Sequence, residues 1–342
     1  MSALQFLVGD QYGRILAELT PGIEEISWRL SDVGQVKFSL SSSDPKRTEA
    51  NLQFGNRVLI QFDNGLPAWG GIIDPPRDWV TGMVTCTAYS AEHIFNFRAT
   101  GKSALYNGST IGEIYQTLIE NANSYYYMGI DLGSISMVGS TYTKEYHYTN
   151  MMSIFREYLT DELSDYDFDV TAAESLGYIV FYANLYQRKG QDKSSQYALV
   201  EGQNMEVTRF GQQGQIVNVW YVAGKGNDWG DERLVGYAQD VTSLSRYGRR
   251  VSSAVRSDTD EQVELDALAA VALAESKDPH NMIEIQTSNN PPAEFADYGV
   301  GDSLRIISAS VGFEGLDTTA RVIARSYDPN SGLCQLVMRE DV

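Results

Sequence analysis

Across residues 1–100, apolar and polar positions alternate in short runs: Leu4–Val8, Arg14–Leu19, Val36–Leu40, Arg57–Phe62, Ala68–Ile73 and Met83–Tyr89. A period of two sends successive side chains to opposite faces, so each run predicts a half-buried strand. Asp63-Asn64-Gly65 separates two of the runs and predicts a hairpin turn, because Asn-Gly accepts positive φ at both central positions. Pro75-Pro76 is expected to close the following strand, since proline donates nothing to a ladder. Strands at this spacing, with no helical pattern between them, predict a small barrel or sandwich.

The period then lengthens. Thr110 and Glu113 have capping-box spacing, and Ile111, Ile114, Tyr115, Leu118 and Ile119 follow at helical intervals. A second helix is expected over Met151–Thr160, with Met151, Ile154, Phe155, Tyr158 and Leu159 on one face. Strands are predicted at Phe168–Val170 and Tyr178–Tyr182, ahead of a polar loop around Arg188–Ser195. The strand pattern returns from Met205 and is clearest in Ile216–Ala223. A third helix interrupts it: Thr259 and Gln262 have capping-box spacing, Leu265, Leu268, Ala269, Ala272 and Leu273 form the stripe, and Pro279 ends it. The last strands are expected at Met282–Gln286, Ser303–Ile307, Ala320–Ser326 and Leu333–Met338.

The two β-rich ends share a weak repeat. Gly55-Asn-Arg-Val-Leu-Ile matches Gly301-Asp-Ser-Leu-Arg-Ile, 246 residues on. Gly71-Ile72-Ile73 matches Arg321-Val322-Ile323, and Gly82 before Met83 matches Gly332 before Leu333, both 250 residues on.

Composition narrows the function classes. The 342 residues are 43% hydrophobic and 21% charged, which describes folded chain, and length allows two or three domains. No apolar run is long enough for a membrane-spanning helix. The opening segment reaches Asp10 without a basic region, so no secretory signal is expected. Cys86 and Cys334 stand far apart within alternating runs and read as buried free thiols. The formal charge is −19, with 45 acids against 26 Lys and Arg. Nucleic-acid binding needs clustered cations to displace counterions, and the basic clusters here are short, such as Arg246 with Arg249-Arg250. An acidic surface suits solubility, and also a wall past which DNA slides without adhering.

Enzymatic spacings fail on mechanism. Gly101-Lys102-Ser103 resembles the end of a phosphate loop, but Asn96 occupies the leading glycine's place. Gly224 to Gly230 is one residue too long for a dinucleotide fingerprint and opens no helix. Asp165, Asp167 and Asp169 alternate, yet a calcium loop would need glycine at Val170 and glutamate at Leu176; a solvated acidic strand is expected. Asp161-Glu162 offers a carboxylate pair of the kind glycosidases use, but 45 acids supply many accidental pairs. His93, His147 and His280 show no zinc spacing, and no Gly-x-Ser-x-Gly occurs. Trp69, Trp79, Trp220 and Trp229 allow a sugar-stacking groove, though core and interface roles are commoner for such residues. No catalytic, cofactor-binding or metal-binding residue is assigned.

Three stretches resemble the phage baseplate-hub family, which includes minor tail proteins similar to the beginning of tail-associated fibre or lysin proteins. The first runs from Gly55-Asn-Arg-Val-Leu-Ile through Trp69-Gly70-Gly71-Ile72-Ile73 and Ala88-Tyr89-Ser90 to Arg98. The second is Asn218-Val-Trp-Tyr-Val-Ala-Gly224 with Ala238-Gln-Asp240, Ser243 and Tyr247-Gly248-Arg249-Arg250. The third joins Val300-Gly301-Asp302 and Arg321-Val322 to Asp328-Pro329-Asn330-Ser331-Gly332.

The resemblance implies a mainly β chain with an α/β insertion: two tail-tube-like antiparallel β-barrels plus a middle α/β domain. The expected division is 1–100 for the first barrel, 101–204 with 241–281 for the middle domain, and 205–240 with 282–342 for the second barrel. It further implies a non-enzymatic structural protein of the virion tail tip or baseplate, made in the host cytoplasm and needing no cofactor. As a homotrimer, its six barrels would form a pseudo-sixfold ring joining the tail tube and distal tail protein to a fibre or central tip protein. A tape measure protein would occupy the lumen, and DNA would pass without specific binding. No lysozyme, peptidase or receptor-binding extension follows Val342, so such activity is expected on another chain. The competing readings are a tail-tip cell-wall or glycan hydrolase and a carbohydrate-binding adhesin.

Overall fold

Short antiparallel strands open the chain in the computed structural model, which describes residues 4–340 apart from 81, 140, 161–165, 227–232, 257–260 and 313–314. They are β1 (Leu4–Gly9), β2 (Ile15–Leu19), β3 (Gly22–Arg29) and β4 (Gln35–Ser41). A one-turn helix, α1 (Glu49–Leu52), precedes β5 (Arg57–Phe62), β6 (Trp69–Val80) and β7 (Met83–Ser90), and a 3-10 helix covers Ala91–Phe97. Two punctuation signals act differently from expectation. The Asn64-Gly65 turn lies within a six-residue loop between β5 and β6, with Gly65 at φ 86°. Pro75-Pro76 does not end its strand, because the prolines occupy a register shift between Asp74 and Arg77 where no ladder donor is required.

The middle segment comprises β8 (Ala104–Thr110), α2 (Ile111–Tyr125), β9 (Ile130–Ile135), β10 (Thr141–Tyr146), α3 (Met151–Thr160), β11 (Asp167–Ser175), β12 (Tyr178–Tyr186) and β13 (Ala198–Val200). The capping box of α2 is fully formed: Glu113 N–H donates to Thr110 Oγ1 at 3.2 Å, and Thr110 N–H donates to Glu113 Oε2 at 2.7 Å. The apolar stripe of α2 meets α3 and β11 in an aromatic cluster, with Phe155 4.5 Å from Tyr115 and 5.0 Å from Phe95 between ring centroids. Side chains of Tyr158 and Leu159, expected on the same face of α3, fall outside the described residues.

The remaining elements are β14 (Met205–Gln213), β15 (Val219–Ala223), β16 (Val235–Gln239), α4 (Val241–Tyr247), β17 (Val251–Val255), α5 (Gln262–Ser276), β18 (His280–Thr287), β19 (Ser303–Ser308), β20 (Leu316–Asp328) and β21 (Leu333–Glu340). Chain contacts divide the protein into two units, the smaller one containing residues 210–282. In the smaller unit β15 pairs antiparallel with β16 and parallel with β17, and α5 packs on β15 and β16 through Leu265, Leu268 and Ala269. Thr259, the expected cap of α5, lies outside the described residues.

This division differs from the grouping read from sequence. Residues 101–159 and 166–204 belong to the larger unit with the outer strands, whereas 241–281 belong to the smaller one. The strands at 219–223 and 235–239, grouped by sequence with 205–240 and 282–342, pair with each other, and 219–223 also pairs with Val251–Val255. Alternation marks a strand but does not name its partner.

One sheet follows the order β14-β18-β21-β20-β3-β4-β7-β6-β5-β1-β2, and β19 bridges β13 and β20; all of it belongs to the larger unit except residues 210–213 of β14 and 280–282 of β18. The fold is therefore mainly β. Among the described residues no strand pairing closes this order into the two expected barrels.

Within the sheet, β5-β6-β7 and β19-β20-β21 are the same three-strand meander. Gly55 N–H donates to Ile73 O at 2.8 Å, and Gly301 N–H donates to Val322 O at 2.8 Å. Ile73 N–H returns a bond to Asn56 O, as Val322 N–H does to Asp302 O. Gly55 and Gly301 have φ of 88° and 103°, a region closed to most side chains. Arg57 stands opposite Ile72 where Ser303 stands opposite Arg321. The structure thus matches Ile73 to Val322, one residue away from the register read from sequence. Since strand faces alternate, that one residue decides which side chains face the core: Ile73 and Val322 are both fully buried.

Each meander is fastened by an arginine after its register shift. Arg77 Nη2 donates to Leu52 O, three residues before Gly55, and the guanidinium lies 4.2 Å from the Phe54 ring centroid. Arg325 Nη1 donates to Tyr298 O at 3.0 Å, three residues before Gly301, with Phe295 and Tyr298 rings 5.0 and 4.8 Å away. Arg325 is 0% exposed and also donates to Phe295 O, so carbonyl dipoles and ring faces replace its hydration. Replacing Arg325 with methionine leaves those carbonyls unpaired in the core. Urea unfolding of Arg325→Met is expected to show a loss of about 3 kcal/mol.

Candidate functional site

Two features of the larger unit invite a functional reading: a buried ionic network around β11 and β12, and the unmatched edges of the repeated sheet. The network begins where sequence predicted a solvated acidic strand. Asp167 and Asp169 are instead buried, and Asp165 lies outside the described residues. Asp167 Oδ2 accepts from Arg321 Nη2 and from Lys189 N–H at 2.8 Å. Asp169 Oδ2 meets Lys189 Nζ at 2.6 Å, and its Oδ1 accepts from Asn184 Nδ2 at 2.9 Å and Tyr186 Oη at 3.3 Å. Cations supplied by distant segments make burial of these carboxylates tolerable.

The expected polar loop around Arg188–Ser195 is held by the same chemistry. Asp302 Oδ1 accepts from Gln191 N–H at 2.8 Å, and its Oδ2 accepts from Lys193 Nζ at 2.9 Å. The two meanders use equivalent rungs to hold the middle segment. From the first, Arg57 Nη1 donates to Ile179 O at 2.7 Å while its guanidinium covers Phe181. From the second, Arg321 reaches Asp167, Lys189 O and Gly301 O. Sequence reasoning assigned neither arginine; the available signal was a cation inside an otherwise apolar strand.

Glu92 and Asp169 both line a cavity of about 210 Å³ together with Trp69, Ser90, Lys189 and Arg325. Glycoside hydrolysis needs two carboxyls able to reach opposite sides of a bond. Here Glu92 Oε1 accepts from Val170 N–H at 2.8 Å, and Asp169 is engaged by Lys189, Asn184 and Tyr186. Burial pushes the Glu92 carboxyl up to about 7, and hydrogen bonding opposes the rise. These contacts hold both side chains in the interior.

Other sequence candidates separate. Trp69 is buried and donates Nε1–H to Ser27 O at 3.0 Å, whereas Trp79 is 68% exposed on β6. Trp220 donates to Ser276 Oγ at 2.7 Å within the smaller unit. Trp229, Asp161, Glu162 and the end of the Gly224–Gly230 stretch lie outside the described residues. Lys102 O and Ser103 Oγ contact His147 and Glu145 at 2.7 Å each, in a loop leading to β8. His93 Nε2 lies 2.9 Å from Asp74 Oδ2, with its ring stacked on Tyr89. Cys86 and Cys334 are buried free thiols whose pKa values burial raises.

The edges of the sheet are the second feature. Past its shift, β6 runs through residues 77–80 with β7 as its one partner strand among the described residues, and Trp79 and Val80 are exposed. The equivalent stretch of β20 has β21 on one side and β3 on the other: Ala324 opposes Arg29, Arg325 opposes Trp28, Ser326 opposes Ser27, and Tyr327 opposes Ile26. Tyr327, equivalent to Trp79, is 2% exposed and packs edge-on against Phe62 and Phe295. The strand that covers β20 comes from the other repeat.

No protein-family model and no curated protein matches the chain. Solved structures do. A prophage MuSo2 43 kDa tail protein from Shewanella oneidensis superposes with TM-score 0.65 at 11% identity, covering 98% of each chain. Prophage tail protein gp18 from Listeria monocytogenes EGD-e gives 0.62 at 12% identity, over 98% of this chain and 94% of its own. A tail protein from Neisseria meningitidis MC58 gives 0.60 at 12% identity, over 99% of this chain and 97% of its own. The chain shares the fold of these three tail proteins from end to end.

The buried Glu92 carboxyl sets a pH dependence. The folded chain keeps this proton to about pH 7, whereas an unfolded glutamate releases it near 4.5. Between those values the folded state binds more protons, so its stability falls as pH rises and levels off above pH 7. Glu92→Gln, which retains an oxygen for Val170 N–H, is expected to gain about 3 kcal/mol over the wild type between about pH 4.5 and about pH 8. Urea unfolding of both proteins across that range checks the difference; parallel curves would contradict it.

Proposed function

We propose that the chain is a structural subunit of a phage-type tail tip, a hub that joins a tail tube to the parts below it. The observation that carries this reading is the repeated meander, present twice in one chain with the same backbone bonds and equivalent arginine contacts. The fold shared with three tail proteins, two of them from prophages, supports it. Two repeats per chain allow three chains to present six similar modules, which reconciles a sixfold tube with a threefold tip. Each module would act as a tube-like barrel when its neighbours are in place. The tail tube and distal tail protein would lie on one face of the ring, and the fibre or central tip protein on the other. A tape measure protein would fill the lumen before DNA passes.

The formal charge of −19 supports a lumen wall rich in carboxylates, which repels the DNA backbone and prevents adhesion. The reading includes no catalytic step. Glu92 and Asp169 are committed to interior contacts, which favours the hub over a tail-tip hydrolase.

Cryo-electron microscopy of the native particle is expected to find three copies at the tip around an acidic lumen. One copy or six would overturn the trimeric hub, and a neutral or basic lumen would overturn the charge argument. Purified chain incubated with cell-wall glycan is expected to release no product; turnover abolished by Glu92→Gln would establish the hydrolase instead.

A further inference from the structure

The junction between repeats is made once inside the chain, and the strands that would make it again are both present. In the first repeat the order is β5-β6-β7-β4-β3, and in the second it is β19-β20-β21-β18-β14. The strands β3 and β14 therefore hold the same place, each separated from its meander by one strand. From that place β3 covers the edge of β20 over residues 324–327. The counterpart β14 ends the strand order, and the counterpart acceptor edge on β6, residues 77–80, has no partner strand among those described.

We propose that β14 of one copy adds to β6 of a second copy along residues 77–80, repeating between chains the junction that β3 and β20 make within one. The five residues of β14 that belong to the larger unit, 205–209, exceed the four-residue ladder that β3 supplies. The addition covers Trp79 and Val80 as the internal junction covers Tyr327, removing an exposed apolar edge. Arg47 lies 5.6 Å from the centre of the Trp79 ring, so one face of the indole already has a neighbour. Each copy offers one donor edge and one acceptor edge. Such a contact is head-to-tail, and it closes a ring of three copies when the rotations at the three internal and three intermolecular junctions sum to one full turn. The number of copies rests on the hub reading; the edge pairing rests on the strand order alone.

The test uses the purified full chain at high concentration, carrying Asp78→Cys on β6 and Thr208→Cys on β14 and treated with a short bismaleimide. Both native thiols are buried, which keeps them from the reagent. The expected product is a covalent ladder ending at three copies, formed by the double variant and absent from a Thr208→Cys single variant. Trp79→Lys in the same background is expected to reduce cross-linking at least tenfold while leaving the circular dichroism spectrum unchanged. A ladder running past three without closing would support the edge pairing and overturn the three-copy hub. A three-copy species by light scattering that forms no β6–β14 cross-link would overturn the edge pairing and leave the hub standing. Cross-linking through Asp78→Cys alone, or a chain that stays monomeric at every concentration, would also overturn the pairing.

Discussion

The ladder between β3 and β20 is the contact on which the larger unit depends. It is only four residues long, yet it turns two three-strand meanders into one sheet. A ladder this short needs support from side chains. Trp69 bonds Ser27 O, Asn330 Nδ2 bonds Ile23 O at 3.1 Å, and Phe62 of the first repeat packs on Tyr327 of the second. Directly on the ladder stands Arg325, whose guanidinium also secures the chain entering the second meander. One residue therefore ties the internal geometry of a repeat to its attachment to the other.

Two copies of one motif have diverged where they meet the middle segment. The rung that opens each meander carries a buried arginine, but on opposite strands: Arg57 on β5 in the first and Arg321 on β20 in the second. Each reaches a different part of the β11-β12 hairpin. Buried ion pairs contribute little net stability against apolar packing, but they penalise every arrangement that separates them. Asp167, Asp169 and Asp302 bond the segment from Lys189 to Lys193 at both its backbone and its lysine side chains. The Glu92 carboxyl, which burial lets keep its proton to about pH 7, lies beside this network with Oε1 bonded to Val170 N–H.

Much of the likeness to tail proteins was legible locally. Gly55 and Gly301 are readable because a left-handed residue at a strand entrance selects glycine. The capping box at Thr110 is readable because its two bonds span three residues. The four arginines were not readable in this way. Arg77 and Arg325 look like polar interruptions of apolar strands until the carbonyls of Leu52 and Tyr298 arrive from 25 and 27 residues away in sequence. Likewise Asp167 and Asp169 alternate as an exposed face would, and only Arg321 and Lys189 show that they are buried.

By itself the sequence determined strand and helix character, the recurrence of a glycine-led β segment, the isolation of the two thiols, and an acidic balance unsuited to gripping DNA. Each of these follows from residue type and spacing over a few positions. The tertiary structure decided which strands pair, and hence that Val219–Ala223 belongs with Val251–Val255 in a separate small sheet. It also corrected the repeat by one residue and carried β6 past its prolines, leaving Trp79 exposed on an edge with no second partner strand among the described residues. The reason is physical: alternation is the same for any strand, so partner and register are fixed only by the long-range contacts that folding brings together.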